Sequence, residues 1–170
     1  MPITSDFRTL PFHINKVAES GRHIGKTSYW KLYAIENLVR VVVHSVLSVQ
    51  INPNWWGIAV DPNTDNKVLR VMKDYASQPW HSSPGKHKIY YLFLSDLVKV
   101  ISTNSNLFRP LISNIDSWIA RLEKIRLPRN MVGHMNWLDL PDETEIDNTY
   151  RDLKAMVKDL SRGGITLIIP

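Results

Sequence analysis

One long apolar stretch without glycine or proline constrains the fold of this chain most strongly. It runs from Thr27 to Ile51, and its apolar residues recur every three or four positions: Tyr29, Leu32, Ile35, Leu38, Val39, Val42, Val46 and Val49. This spacing is typical of one face of an α-helix. Three consecutive valines at 41–43 would also suit a β-strand. Because strands seldom reach the length of this stretch, the pattern predicts a long helix.

The remaining segments predict an all-α fold, a bundle of four or five main helices. Further helices are expected at 67–76, 89–101, 107–125, 129–138 and 141–161. Pro110 is placed in the first turn of one helix, and Pro128 is interpreted as the start of another. The chain then divides into an irregular N-terminal arm at 1–26 that could hold one short element, a bundle at 27–162 and a tail at 163–170. The tail is rich in β-branched residues and could form a short edge strand at 165–169.

Composition indicates one globular domain with a basic surface. The chain has 170 residues, of which 44% are hydrophobic, and a net charge of +5. This charge favours a polyanionic partner. The chain has no cysteine, which excludes disulfides, thiol catalysis and thiolate metal sites. No apolar run of about 18 residues predicts a membrane span, and the first residues do not resemble a signal peptide. We therefore expect a cytoplasmic protein that does not contact a membrane.

An arginine, an amide and a histidine lie close together late in the chain, in the run Arg129-Asn130-Met131-Val132-Gly133-His134. Arginine can bind a phosphate through two parallel hydrogen bonds. Histidine can transfer protons near neutral pH. Gly133 leaves room for a ligand beside the histidine. With the basic net charge, the run suggests chemistry on a phosphodiester, most simply RNA, without a metal or other cofactor.

The spacing within this run leaves two interpretations open. On a helix, Asn130 and His134 share a face, whereas residues five apart such as Arg129 and His134 do not. Arg129 could join the other two from a frayed first turn, or it could meet the His134 of a second subunit. In the alternative interpretation, Arg129 merely starts a helix and His134 is a hydrogen-bonded surface residue. Arg8 and His13 have the same separation in an expected loop, so the spacing alone decides nothing.

Four polar residues form a stripe on the first long helix, which is otherwise apolar: Glu36, Asn37, Arg40 and His44. Buried polar groups need partners. The stripe could be an internal ion pair between Glu36 and Arg40 on a solvent-facing seam. It could instead face the helix of His134 and support a site there.

Other polar and aromatic candidates carry less information. His81 and His87 lie in a loop without nearby acidic residues, so no metal site is expected. The six tryptophans could include a base-stacking surface, but packing in the core or at a dimer interface is the favoured interpretation. An acidic cluster at 142–145 is expected to be the solvated start of the last helix. The chain contains neither a glycine-rich phosphate loop nor a serine nucleophile elbow.

Several of these segments resemble the HEPN superfamily over roughly residues 27–140. The family signature is an arginine followed four to six residues later by a histidine, often with a polar residue directly after the arginine, as in Arg129, Asn130 and His134. The preceding segment 115–130, the segment 32–40 and the Trp55-Trp56 pair are similar to a HEPN branch associated with RNA quality control and prokaryotic defence.

The resemblance implies a helical bundle that dimerises and a metal-independent endoribonuclease in which two Arg/His motifs meet across the dimer. It implies that His134 assists proton transfer, that Arg129 stabilises charge on the scissile phosphate, and that Asn130 orients either the histidine or the phosphate. The products would be a 2′,3′-cyclic phosphate and a 5′-hydroxyl. The expected partners are RNA, a second copy of the chain and an antitoxin or regulatory protein. Two alternatives remain: a non-catalytic HEPN module that binds RNA, nucleotide or protein, and a purely structural helical dimer.

Overall fold

A computed structural model describes residues 6–170 of the chain. These residues contain no β-strand, and the all-α prediction is confirmed. The α-helices are α1 (Ile14–Ile24), α2 (Trp30–Gln50), α3 (Trp56–Ala59), α4 (Pro62–Ala76), α5 (Leu94–Thr103), α6 (Ser105–Phe108), α7 (Ile115–Gly133) and α8 (Leu140–Arg162). A π-helical turn (Gly25–Tyr29) joins α1 to α2, and a 3₁₀ turn (Lys88–Tyr91) precedes α5.

The long apolar helix predicted from the sequence is α2, and it lies at the centre of the bundle. It packs against α8 and α5, and α7 packs against both of these helices. Ile35, Val43 and Leu47 on α2 are completely buried. Burying one such side chain contributes about 1.5–3 kcal/mol to folding. Two members of the predicted apolar face, Tyr29 and Val49, are instead exposed, because they lie at the two ends of the helix.

Among the residues that the structure describes, the arm at 1–26 is more helical than expected, and residues 1–5 lie outside the described part. The arm contains α1, which continues through the π-helical turn into α2. The Nδ1 atom of His13 caps α1 by accepting a hydrogen bond from the Asn15 amide at 3.2 Å. Gly21 interrupts the apolar spacing between Val17 and Ile24, which hides the helical pattern in the sequence. Accordingly, α1 adds a helix to the predicted bundle.

One long helix, α7, replaces the two helices predicted at 107–125 and 129–138. Pro110 lies in the turn before α7, and Pro128 lies inside the helix. A proline within a helix removes the main-chain hydrogen bond to the carbonyl four residues earlier. Because Pro128 is buried against the bundle, packing offsets the lost bond and the helix continues. The Arg129–His134 run therefore lies at the end of a helix and not at its start.

Two other helices begin at residues other than the predicted ones, because side chains cap their N-termini at different positions. The helix predicted at 67–76 begins at Pro62, since Asp61 accepts hydrogen bonds from the next two free amides, those of Asn63 and Thr64. The helix predicted at 89–101 is divided into the 3₁₀ turn and α5, because the Asp96 carboxylate accepts a hydrogen bond from the Phe93 amide. The last helix, α8, matches its predicted span of 141–161 to within one residue at each end.

The C-terminal tail packs on the bundle in an extended form, and the edge strand predicted at 165–169 is wrong. A strand needs the main chain of a neighbouring strand as its partner. Here the tail bonds to side chains: the Ile168 amide donates to Ser45 Oγ at 2.8 Å, and the Tyr90 hydroxyl donates to the Pro170 oxygen at 3.0 Å. Ile165 and Leu167 pack against the core.

The continuous helical segment Ile14–Gln50 is long and apolar enough, by length and composition, to cross a membrane. Of its most apolar 18-residue window, 56% is buried inside the protein. Core helices of soluble proteins have the same properties, so the segment is compatible with a soluble bundle.

Candidate functional site

The Arg129–His134 run ends α7 in a tight turn. The His134 amide donates to the Asn130 carbonyl at 2.9 Å, and the Asn136 amide donates to the Met131 carbonyl at 2.8 Å. These bonds reverse the chain through Met135, which has a positive φ of 60°. Glycine is the residue preferred at such a position, so the backbone is strained directly after His134.

Arg129 is held in place from α2. Its Nε donates to Glu36 Oε2 at 3.2 Å, and its guanidinium lies over the Phe93 ring, 5.5 Å from the centroid. Among residues 6–170, its two terminal nitrogens have no hydrogen-bond partner. Gly133 leaves open space next to one of them, because a Cβ atom there would lie 3.4 Å from Nη1. Arg129 is thus a positioned cation with free donors.

Glu36 links Arg129 to a second arginine. Its Oε1 accepts a hydrogen bond from Arg40, which also donates to Asn37 Oδ1 at 3.1 Å and to the Leu92 carbonyl at 2.9 Å. The predicted ion pair between Glu36 and Arg40 is present, but the two side chains are only 13% and 11% exposed and do not lie on a solvent-facing seam; Glu36 also contacts α7 through Arg129. Two arginines share one carboxylate, which leaves one surplus positive charge.

This network lies in a groove of about 550 Å³ between α2 and α7. The groove is lined by two cations, one carboxylate, one amide, three tyrosines and several small or apolar residues: Arg40, Arg129, Glu36, Asn37, Tyr29, Tyr33, Tyr90, Leu32, Pro84, Val132, Gly133 and Met135. Its volume is in the usual range for a small-molecule or nucleotide site.

Among residues 6–170, no hydrogen bond or ring contact joins His134 to Arg129. His134 is exposed, and the residues on either side of it, Gly133 and Met135, line the groove while His134 itself does not. Asn130 is half-buried and also lies outside the lining. Because Arg129 lies one turn before the end of α7, the predicted approach from a frayed first turn does not occur.

His44, the fourth member of the predicted stripe, belongs to a separate aromatic cluster. Its Nδ1 accepts from Trp55 Nε1 at 3.1 Å, and its ring centroid lies 4.7 Å from that of His87. His87 Nδ1 accepts from the Ile89 amide at 3.1 Å. Burial lowers the pKa of His44, and burial together with the neighbouring His44 and Lys88 lowers the pKa of His87. The neutral form of both rings is therefore favoured, and neither ring lines the groove.

The other sequence candidates have structural partners or are exposed. Trp55 and Trp118 are core residues, as predicted, whereas Trp30 and Trp80 are exposed. In the acidic start of α8, Glu143 pairs with His23 at 3.2 Å. His81 lies in an exposed loop. Within the described part of the chain, no group of three or more histidine, aspartate or glutamate side chains is arranged to hold a metal ion.

The chain matches no model of a known protein family, no curated protein and no solved structure. The HEPN resemblance therefore stays a prediction from the sequence.

Sequence reasoning missed the tyrosines of the groove. Tyr29 and Tyr33 precede Asn37 at successive four-residue steps, so the polar stripe of α2 extends towards the N-terminus. The four-residue spacing is present in the sequence, but the apolar pattern of α2 predicts that Tyr29 is buried, whereas it is exposed. Tyr90 comes from the 3₁₀ turn, and no local spacing connects it to α2.

Proposed function

We propose that this chain is a cytoplasmic, metal-independent endoribonuclease of HEPN type that acts as a homodimer. The observation that carries the proposal is the guanidinium of Arg129, held by Glu36 in a solvent-open groove with its terminal donors free. Such a group can bind the two non-bridging oxygens of a phosphodiester. A toxin or defence effector, controlled by an antitoxin or other regulatory protein, is the biological role that we propose for it.

The proposed reaction transfers the phosphoryl group within the RNA. The ribose 2′-oxygen attacks the adjacent phosphorus while its proton passes to a base, and the bond from phosphorus to the 5′-oxygen breaks. A proton is delivered to that leaving oxygen, which gives a 2′,3′-cyclic phosphate and a 5′-hydroxyl. His134 serves the proton transfers, and Arg129 stabilises the charge that develops on the phosphate. Asn130 orients the histidine or the phosphate.

The proposed site includes a second copy of the chain. His134 is exposed next to the groove but does not line it, so the His134 of a partner would complete the site beside Arg129. Exposed apolar side chains on and before α1 offer a surface for a partner: Leu10, Phe12, Ile14 and Val17. Contiguous exposed apolar surface is typical of protein interfaces.

A non-catalytic binding module is the second candidate. The separation of His134 from the groove favours it, because binding a phosphate needs only Arg129 and its neighbours. The two candidates differ in whether the bound RNA is cleaved.

The test is incubation of purified protein with mixed RNA in EDTA. Wild type should cleave, and Arg129→Ala and His134→Ala should lose cleavage. The matched controls are Arg126→Ala, an exposed arginine about one turn earlier on α7, and His81→Ala, an exposed histidine that does not line the groove; both should cleave like wild type. His134→Ala should also melt at nearly the wild-type temperature, since the exposed His134 side chain has no hydrogen-bond partner among residues 6–170.

Absence of cleavage by a well-folded dimer would favour the binding module. Cleavage that survives in His134→Ala would remove the histidine from the mechanism. A large loss of stability in that variant would favour the purely structural interpretation.

A further inference from the structure

The side chains of two tyrosines in the groove point to a ligand, because they are exposed and make no polar or ring contact with the described part of the chain. Tyr29 and Tyr33 are 57% and 65% exposed. Within residues 6–170, neither ring lies against another aromatic ring or a cation, and neither hydroxyl has a hydrogen-bond partner. Large aromatic side chains that make no internal contact of this kind are available to a ligand.

The spacing of the tyrosines places them in line with Arg129. Tyr29 and Tyr33 are four residues apart, so they share one face of the helical segment and lie about 6 Å apart along its axis. Glu36 follows Tyr33 by three residues on the same face, and it is the residue that holds Arg129. The groove therefore presents two aromatic rings and then a guanidinium along one line.

The charges of the groove fit one phosphodiester. Arg40 and Arg129 together carry two positive charges, and Glu36 neutralises one of them. Each phosphodiester of RNA carries one negative charge. Proteins that bind single strands combine a cationic path for the backbone with aromatic side chains on which successive bases stack. The groove contains both the cations and the aromatic side chains.

We infer that Tyr29 and Tyr33 stack unpaired bases next to the phosphate that Arg129 binds, so that the groove selects single-stranded over double-stranded RNA. In an A-form duplex the faces of the bases are covered by their neighbours, and side chains cannot stack on them. This inference rests on the proposed function, because it uses the same phosphate position. It adds that Tyr29 and Tyr33, which take no part in the chemistry, determine which form of RNA is bound.

The test separates binding from cleavage. The probe is a fluorescent RNA with 2′-O-methyl riboses, which cannot undergo attack by the 2′-oxygen, offered as a single strand and as a duplex with its complement. Fluorescence anisotropy gives the Kd for the wild-type full chain and for Tyr33→Ala, Tyr29→Ala and Tyr33→Phe. Tyr75→Ala is the matched control, because Tyr75 is an exposed tyrosine on α4 outside the groove.

Wild type should bind the single strand more tightly than the duplex. Each alanine variant should weaken single-strand binding about 5- to 100-fold, the usual effect of removing one stacking ring. Tyr33→Phe keeps the ring and should bind like wild type, as should Tyr75→Ala.

Several results would overturn the inference: no binding of the single strand, equal binding of the duplex, or unchanged affinity in both alanine variants. A change in dimerisation without a change in RNA affinity would mean that a second copy of the chain, and not RNA, occupies the tyrosines. Tight single-strand binding that depends on the tyrosines, combined with no cleavage of ordinary RNA, would refute the proposed nuclease and leave this inference standing.

Discussion

Replacing Glu36 with glutamine should destabilise the protein more than any comparable change at a surface carboxylate. Glu36 joins α2 to α7 by accepting hydrogen bonds from Arg40 and Arg129. Its side chain is only 13% exposed, and that of Arg40 is 11% exposed. The substitution removes the negative charge and leaves two arginines facing one neutral amide.

The size of the effect follows from these contacts. A hydrogen bond to a charged group contributes about 1.5–3 kcal/mol, and removing one partner of a fully buried ion pair costs about 3–5 kcal/mol. Glutamine keeps one acceptor oxygen, Arg40 keeps its bonds to Asn37 and Leu92, and Arg129 is partly solvated in the groove. We therefore expect Glu36→Gln to lower the free energy of unfolding by about 2–3 kcal/mol. For a domain of this size, that loss lowers Tm by about 4–12 °C.

Urea unfolding followed by circular dichroism measures this loss. The matched control is Glu123→Gln on α7, whose pair with Arg126 is about half exposed on both sides and should contribute less than about 1 kcal/mol. If Glu36→Gln unfolds within about 0.5 kcal/mol of wild type, Glu36 does not hold Arg129 in solution and the described geometry of the groove is wrong.

Three further predictions concern other parts of the bundle. Met135→Gly should raise the free energy of unfolding by about 0.5–1 kcal/mol in a urea titration, because it relieves a positive φ at an exposed residue; a loss would mean that the methionine side chain packs. The lowered pKa values of His44 and His87 mean that the unfolded chain binds more protons, so stability should fall as pH falls below about 6.5. Unfolding at about pH 7.5 and about pH 5.5 measures this, and equal stability at both would contradict it. Ser45→Ala should speed hydrogen exchange of the Ile168 amide about fivefold, and unchanged exchange would show that this contact does not hold the tail.

The central helix could be predicted from the sequence because its signal is local and long. The apolar spacing of α2 extends over about six turns without a breaker, and the burial of Ile35 and Val43 confirms it. α7 could not be predicted in the same way. Because proline disrupts the interior of a helix, Pro128 predicts a helix boundary. In the structure Pro128 is buried within the bundle, and the helix continues through it.

Only part of the candidate site could be predicted from the sequence, for a similar reason. The spacing of Glu36 and Arg40 on one helix is local, so an ion pair between them is one of the two interpretations that the sequence allows, and the structure contains it. The contact of Glu36 with Arg129 joins residues 93 positions apart, so only the tertiary structure reveals it. His44 has the same four-residue spacing from Arg40, yet it lies where the helix faces Trp55 and His87. The spacing of residues along a sequence shows which of them share a helix face, but it does not show which element packs against that face.

The chemical nature of the ends of the cleaved RNA decides whether the protein cuts RNA through the ribose 2′-oxygen. A single-stranded RNA and the same strand with one 2′-deoxyribose at the cleaved position are each incubated with wild-type protein in EDTA, and the products are weighed by mass spectrometry. We expect a 2′,3′-cyclic phosphate and a 5′-hydroxyl from the first strand, and no cleavage at the substituted position of the second. Products with a 3′-hydroxyl, or equal cleavage of both strands, would contradict this expectation.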